Sequence, residues 1–182
     1  MALRTGVNGS LPVELAQLTS LRIAYFSYTS LRGTLPDWIG TLTNLTQLHL
    51  SSCSFYGTLP STITRLKRLR NVDISGNRFS GQLTGLAFPQ IQDMFLQKNT
   101  FTGRVPEGFT SSLRRLDVSG NLLSGSLPSG IFRLPSLELF GSASNCLSTD
   151  LPEAICEASG LQELYLDGMG GAGTGTRYLE LY

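Results

Sequence analysis

Apolar residues return along this chain at a fixed interval. Segments opening on Leu21, Leu45, Leu69, Ile91, Leu113, Leu137 and Leu161 lie about 24 residues apart, and twice about 22. A period of that length marks a stack of similar units, each too small to bury its own apolar face. The openings share one pattern: Leu45-Thr-Gln-Leu48-His-Leu50, Leu69-Arg-Asn-Val72-Asp-Ile74, Ile91-Gln-Asp-Met94-Phe-Leu96, Leu113-Arg-Arg-Leu116-Asp-Val118 and Leu161-Gln-Glu-Leu164-Tyr-Leu166. Each ends in apolar-polar-apolar alternation, which predicts a short strand with one face buried.

Three residues past the last inward strand position stand Asn77, Asn99, Asn121 and Asn145, with Thr29 and Cys53 in the same slot earlier. An asparagine amide there can turn inward and bond backbone groups that a bend leaves unpaired; Cys53 reads as a buried structural thiol. The second half of the unit is equally regular. Leu31-Arg-Gly33-Thr-Leu35-Pro36 matches Phe55-Tyr-Gly57-Thr-Leu59-Pro60, Phe101-Thr-Gly103-Arg-Val105-Pro106 and Leu123-Ser-Gly125-Ser-Leu127-Pro128. The glycine permits a tight bend and the proline pre-sets φ for a short helical turn. Pairs three apart (Ile39 and Leu42, Ile63 and Leu66, Ile131 and Leu134) bury one side of that turn.

A leucine strand, an asparagine and then Leu-x-Gly-x-Leu-Pro resembles the plant-specific class of leucine-rich repeats. That class occurs in receptor-like kinases, receptor-like proteins and polygalacturonase-inhibiting proteins, and in similar proteins of algae and protists. The resemblance covers residues 6 to 168. It implies an α/β solenoid: a right-handed leucine-rich-repeat superhelix with a parallel concave β-sheet and short 3-10 or helical turns on the convex side. The domain is expected over 1–168, with a partial repeat first; 169–182 reads as a glycine-rich loop and a terminal strand. Two departures, Gln82-Leu83-Thr84 without the proline and Ser148-Thr149-Asp150 without the glycine, predict an irregular convex side in those repeats. Solenoids need polar caps. Extracellular relatives carry a cysteine-paired cap, whereas Val7-Asn8-Gly9-Ser10-Leu11-Pro12 begins inside a repeat. The preferred reading is a fragment of a longer protein; the other is a neighbour covering that end.

Composition narrows the classes. Only 15% of residues are charged and the net charge is +1, which argues against a disordered tail and against a nucleic-acid partner. No apolar run approaches the roughly 18 residues of a membrane span, so no direct membrane insertion by this chain is expected. Residues 1–6 lack the features of a secretory signal, so a cytoplasmic location stays open beside the cell surface. The three cysteines lack zinc-site spacing, and neither metal nor cofactor is expected. Cys146 and Cys156 fall within one repeat, where a disulfide or two reduced thiols are both open readings. Asn8-Gly-Ser10 and Asn44-Leu-Thr46 are glycosylation sequons at Asn8 and Asn44.

Function is expected where strand residues project from the concave sheet. The central column reads Tyr25, His49, Asp73, Phe95, Asp117, Gly141 and Tyr165; the one before it contains Asp93 and Arg115. Aromatics beside carboxylates suit a binding surface, the rings giving area and the charges direction. Tyr25, Tyr28, His49, Asp73, Phe95, Arg115 and Asp117 are therefore the candidate site, against the plainer reading of ordinary solvated positions with Asp93–Arg115 a surface ion pair. His49 and Asp73 with Ser51 and Ser75 bear a likeness to a Ser-His-Asp group, but an open sheet offers no walled pocket and no oxyanion donors are evident; a His49–Asp73 hydrogen bond is expected instead. Gly168-Met-Gly170-Gly171-Ala-Gly173 fits a dinucleotide-binding string without the helix and second strand such a site needs. The chain is thus expected to be a non-catalytic module binding a protein, peptide or glycan ligand, part of a receptor-like protein. A secreted hydrolase inhibitor and an intracellular scaffold are the alternatives.

Overall fold

The computed structural model describes residues 8–83, 85–86, 88–148 and 150–168. With strands numbered in chain order, two seven-stranded parallel sheets run the length of the stack. The concave sheet holds β2 (Ile23–Tyr25), β4 (Gln47–His49), β6 (Asn71–Asp73), β8 (Asp93–Phe95), β10 (Arg115–Asp117), β12 (Leu139–Gly141) and β14 (Glu163–Tyr165). The other, absent from the sequence expectation, holds β1 (Asn8–Gly9), β3 (Ser30–Gly33), β5 (Ser54–Thr58), β7 (Arg78–Gln82), β9 (Thr100–Gly103), β11 (Leu122–Gly125) and β13 (Cys146–Leu147). Each strand pairs with its counterparts in the adjacent coils, so the chain is a leucine-rich-repeat solenoid. The segment read from its glycine as a bend is a strand that the bend follows.

One backbone column joins the two sheets. Tyr28, Ser52, Gly76, Lys98, Gly120, Ser144 and Gly168 all have positive φ, from 51 to 69°. A left-handed residue here turns the chain out of the concave strand. Glycine meets that demand freely, and the four side chains that adopt it are held against their preference.

Inside, the strand leucines form a dry column; Leu45, Leu48, Leu50, Leu69, Ile74, Ile91 and Met94 have no exposed surface. From the second sheet Phe55, Phe79 and Phe101 stack at 6.0 and 6.4 Å with nearly parallel rings. Each buried side chain of this size contributes about 1.5–3 kcal/mol. The asparagines close the bends. Asn99 donates to Leu96 O (3.1 Å) and to Ile74 O of the preceding coil (3.0 Å), while its Oδ1 accepts from Phe79 N (2.9 Å). Asn77, Asn121 and Asn145 make the equivalent bonds. In the first two coils Thr29 Oγ1 donates to Phe26 O (2.8 Å) and Cys53 Sγ reaches the same oxygen (3.3 Å). Cys53 is buried; Cys146 and Cys156 are both free and exposed. The disulfide considered for Cys146 and Cys156 is not formed: the first faces outward from β13, and the second lies in a separate turn on the convex side.

On the convex side, 3-10 turns cover Asp37–Thr41, Ser61–Arg65, Ser129–Arg133 and Glu153–Glu157, each following a proline. These belong to the four 24-residue repeats. The two 22-residue repeats, opening at Leu69 and Ile91, contain no such turn among the described residues. Length therefore decides: the repeat with Pro106 loses its turn, and the one containing Ser148 and Asp150, expected to be irregular, keeps it. Where the turns are missing, Leu86, Phe88, Pro89 and Phe109 border a hollow of about 250 Å³. Residues 169–182, with the glycine-rich string and the predicted terminal strand, lie outside the described residues, as does Thr149.

Candidate functional site

The parallel register fixes the concave columns. Tyr25 pairs with His49, His49 with Asp73, Asp73 with Phe95, Phe95 with Asp117, Asp117 with Gly141 and Gly141 with Tyr165. Tyr25 and Tyr28 are the most exposed of these aromatics, at 65% and 64%. Tyr28 stands apart from the column, on the left-handed bend. At the first end of the ribbon the Tyr25 ring stacks on His49, centroids 4.7 Å apart. Phe95, in the middle, lies under the Arg115 guanidinium at 6.0 Å, within cation–π range.

Two carboxylates are held in one manner. Asp73 Oδ1 accepts from Ser75 N (3.0 Å) and Ser75 Oγ (2.6 Å); Asp117 Oδ1 accepts from Ser119 N (2.9 Å). Each keeps an Oδ2 with no partner among the described residues. The expected His49–Asp73 hydrogen bond is absent: Ser75 holds Asp73 Oδ1, and the His49 ring is stacked on Tyr25. Ser51 is buried and donates to Ser27 Oγ at 2.9 Å. The serine, histidine and aspartate are therefore not linked into a relay.

Asp93 departs from the plain reading of a surface ion pair. Its side chain is 7% exposed, bonded by Asn71 Nδ2 on one side and Arg115 Nε (2.7 Å) on the other. The hydrogen bond that Arg115 donates to Asp93 holds the Arg115 pKa above its usual value; burial opposes this, and the charges of Asp93, Glu138 and Glu163 add to it. The pair orients Arg115 over Phe95.

Further along, a hollow of about 200 Å³ opens between Asp117, Ala143, Tyr165 and Asp167. Asp117 owes its place there to Gly141, its neighbour in the register: a Cβ on Gly141 would fall 2.5 Å from Asp117 Oδ1, so the carboxylate leans into space that any side chain would claim. Gln97 also lines the hollow, and its buried Oε1 meets no donor among the described residues. Tyr165 donates to Glu163 Oε2 (2.6 Å), which lifts the phenol pKa above its usual value; the Glu163 charge, slight desolvation and the Asp117 charge add to the shift. Sequence reasoning placed Tyr165 and Gly141 in the column without nominating them. The signal was a glycine in a column of larger side chains. Asn44, of the second sequon, bonds Thr19 O (2.9 Å) and Arg68 Nη1 (2.8 Å); Asn8 begins β1.

Comparison with known proteins agrees with the architecture. Residues 44–66 and 112–134 match the family profile described as Leucine Rich Repeat. Receptor-like protein 18 of Arabidopsis thaliana is 33% identical over 76 residues, 42% of this chain and 9% of that protein. The match thus spans less than a tenth of that relative's length. Among solved structures, the plant peptide hormone receptor RGFR1 in complex with RGF2 is similar with a TM-score of 0.83 and 32% identity, over 90% of this chain and 27% of that one. A plant ice-binding protein is similar at 0.76 and 27%, over 90% of this chain and 54% of that one. Among the described residues no helix is long and apolar enough to cross a membrane, and no cluster of potential metal ligands occurs.

Proposed function

Starting from a chain that is a leucine-rich-repeat solenoid with plant-type repeats, we propose that it is the recognition segment of a receptor-like protein at the cell surface. Its ligand is an extended peptide or a peptide segment of a protein, laid along the concave ribbon and bound without chemical change. The carrying observation is the pair of clipped carboxylates, Asp73 and Asp117, alternating with the aromatic sites Tyr25–His49 and Phe95 in one register. Adjacent strands sit about 4.8 Å apart, and side chains on one side of an extended peptide repeat at about 7 Å. Contacts are therefore made at intervals along the ribbon, and the aromatics supply area while the free carboxylate oxygens fix direction. The hollow bordered by Asp117 and Tyr165 takes a donor-bearing side chain, which would satisfy Gln97 Oε1 together with Asp117. The similarity to a peptide hormone receptor supports this reading. Because an ice-binding protein shares the fold, the side chains of the ribbon carry the weight.

The test is a displayed random-peptide library selected on the folded protein. Enriched peptides are expected to lose about tenfold in affinity on Tyr25→Ala or Phe95→Ala, with little change in the urea unfolding midpoint. Peptides that bind both variants as tightly as the parent would move the site off the concave sheet.

A further inference from the structure

The flank of the stack, where the chain enters the concave strands, carries a cleft of about 620 Å³ whose chemistry the concave ribbon does not use. Three arginines, Arg22, Arg68 and Arg70, line it beside Asn44, Thr46 and two further uncharged polar residues. Among the described residues no acidic side chain lines it. The ion pairs found among the described residues are Arg114–Glu138, Arg115–Asp93 and Arg133–Glu157, all elsewhere. Among the described residues the side chains of Arg22 and Arg70 have neither hydrogen bond nor ion pair. Three positive charges thus stand together in a chain whose net charge is +1.

The backbone ladder sets their spacing. Thr46 N donates to Arg22 O and Arg70 N to Thr46 O, both at 2.8 Å, so Arg22 and Arg70 stand on alternate coils, about 10 Å apart at the strand repeat. Between them Thr46 is short, and its hydroxyl is turned down onto Arg22 O (2.9 Å), which leaves the gap open. Arg68 is fixed from the side by Asn44 Oδ1, and Asn44 in turn by Thr19 O. Planar guanidiniums favour carboxylate and sulfate oxygens, which they bind two at a time.

We propose that this cleft is a second binding site, taking an acidic polysaccharide through its carboxylate or sulfate groups. Cations spaced along a groove suit an extended polyanion better than one compact ion. The lining has no aromatic or aliphatic side chain of the kind that anchors a protein partner, while its hydroxyl and amide groups match sugar hydroxyls. The site is on a different surface from the concave ribbon and stands whether or not a peptide binds there. Sequence reading missed it because each arginine, taken alone, is an ordinary exposed residue of its repeat.

The test uses bacterially produced protein, in which Asn44 is free, with polygalacturonate, heparin, neutral dextran and polyglutamate as probes. Binding is expected to polygalacturonate or heparin, whichever charge group fits, and not to dextran, with affinity falling steeply as salt rises. Arg22→Gln and Arg70→Gln should each weaken it about tenfold, while Tyr25→Ala leaves it unchanged and all variants keep the parent unfolding midpoint. Retained affinity in the arginine variants, binding to neither polysaccharide, or tighter binding to polyglutamate would each overturn the proposal. A glycan found on Asn44 in protein from a eukaryotic secretory system would also overturn it, since it would fill the cleft.

Discussion

A phenol that donates to a carboxylate gives up its proton late. Tyr165 does so to Glu163, so the contact is intact below the usual tyrosine pKa near 10. Because the folded value is the raised one, the contribution is lost only as pH climbs through it. Ultraviolet titration should place Tyr165 above the ordinary range, and Glu163→Gln should bring it back; an unmoved midpoint in that variant would show that the pair does not persist in solution. The residue scale is also where reading from sequence reached its limit. The column order from Tyr25 to Tyr165 was legible, because register follows from stacking equivalent repeats. The partners were not: whether Asp73 bonds His49 or Ser75 depends on local turn geometry, and whether Asp93 is exposed depends on how far Arg115 folds over it.

At the scale of the element, the 3-10 turns pack tightly enough for one hydrogen to matter. A Cβ on Gly40 would lie 2.4 Å from Thr62 O and 2.7 Å from Thr62 Cβ, in the turn of the next coil, whereas one on Gly130 would meet nothing within 4 Å. Gly40→Ala should therefore destabilise by about 1–3 kcal/mol, and Gly130→Ala should be neutral or stabilise by about 0.4–1 kcal/mol. Urea unfolding of the two variants makes the comparison; equal midpoints would mean the coils part without cost. Elements were legible wherever a periodic pattern spelled them out. The concave strands alternate over several residues. The strands of the second sheet bury one side chain per coil, such as Phe55 or Phe79, and a single apolar residue before a glycine has no period to read. The missing turns were legible as spacing, in the two intervals of 22, but the proline at 106 pointed the other way. Two residues fewer leave no length for a turn, whatever residue would begin it.

Across the whole molecule, stability is shared between neighbours along a line, so the weakest coils set where the stack opens. In the repeat opened at Ile91, no backbone N–H from 104 to 112 donates to a described residue, whereas Ile39, Leu42, Thr43 and Leu45 all donate around the turn 37–41. Amides of 104–112 should exchange with solvent faster than those of 39–45. Uniform protection along the convex side would mean that the short coils are closed by contacts other than backbone hydrogen bonds. The overall architecture was the most legible feature of all, because seven copies of one pattern leave little freedom in how they stack.

The asparagine bonds have a direction. Asn77 serves Leu50 and Phe55, Asn99 serves Ile74 and Phe79, Asn121 serves Leu96 and Phe101, and Asn145 serves Val118 and Leu123. In every case the amide belongs to one coil and completes the coil before it. A nascent chain leaving the ribosome therefore cannot seal a rung until the following one has emerged, and the growing stack trails its own synthesis by one turn of the spiral.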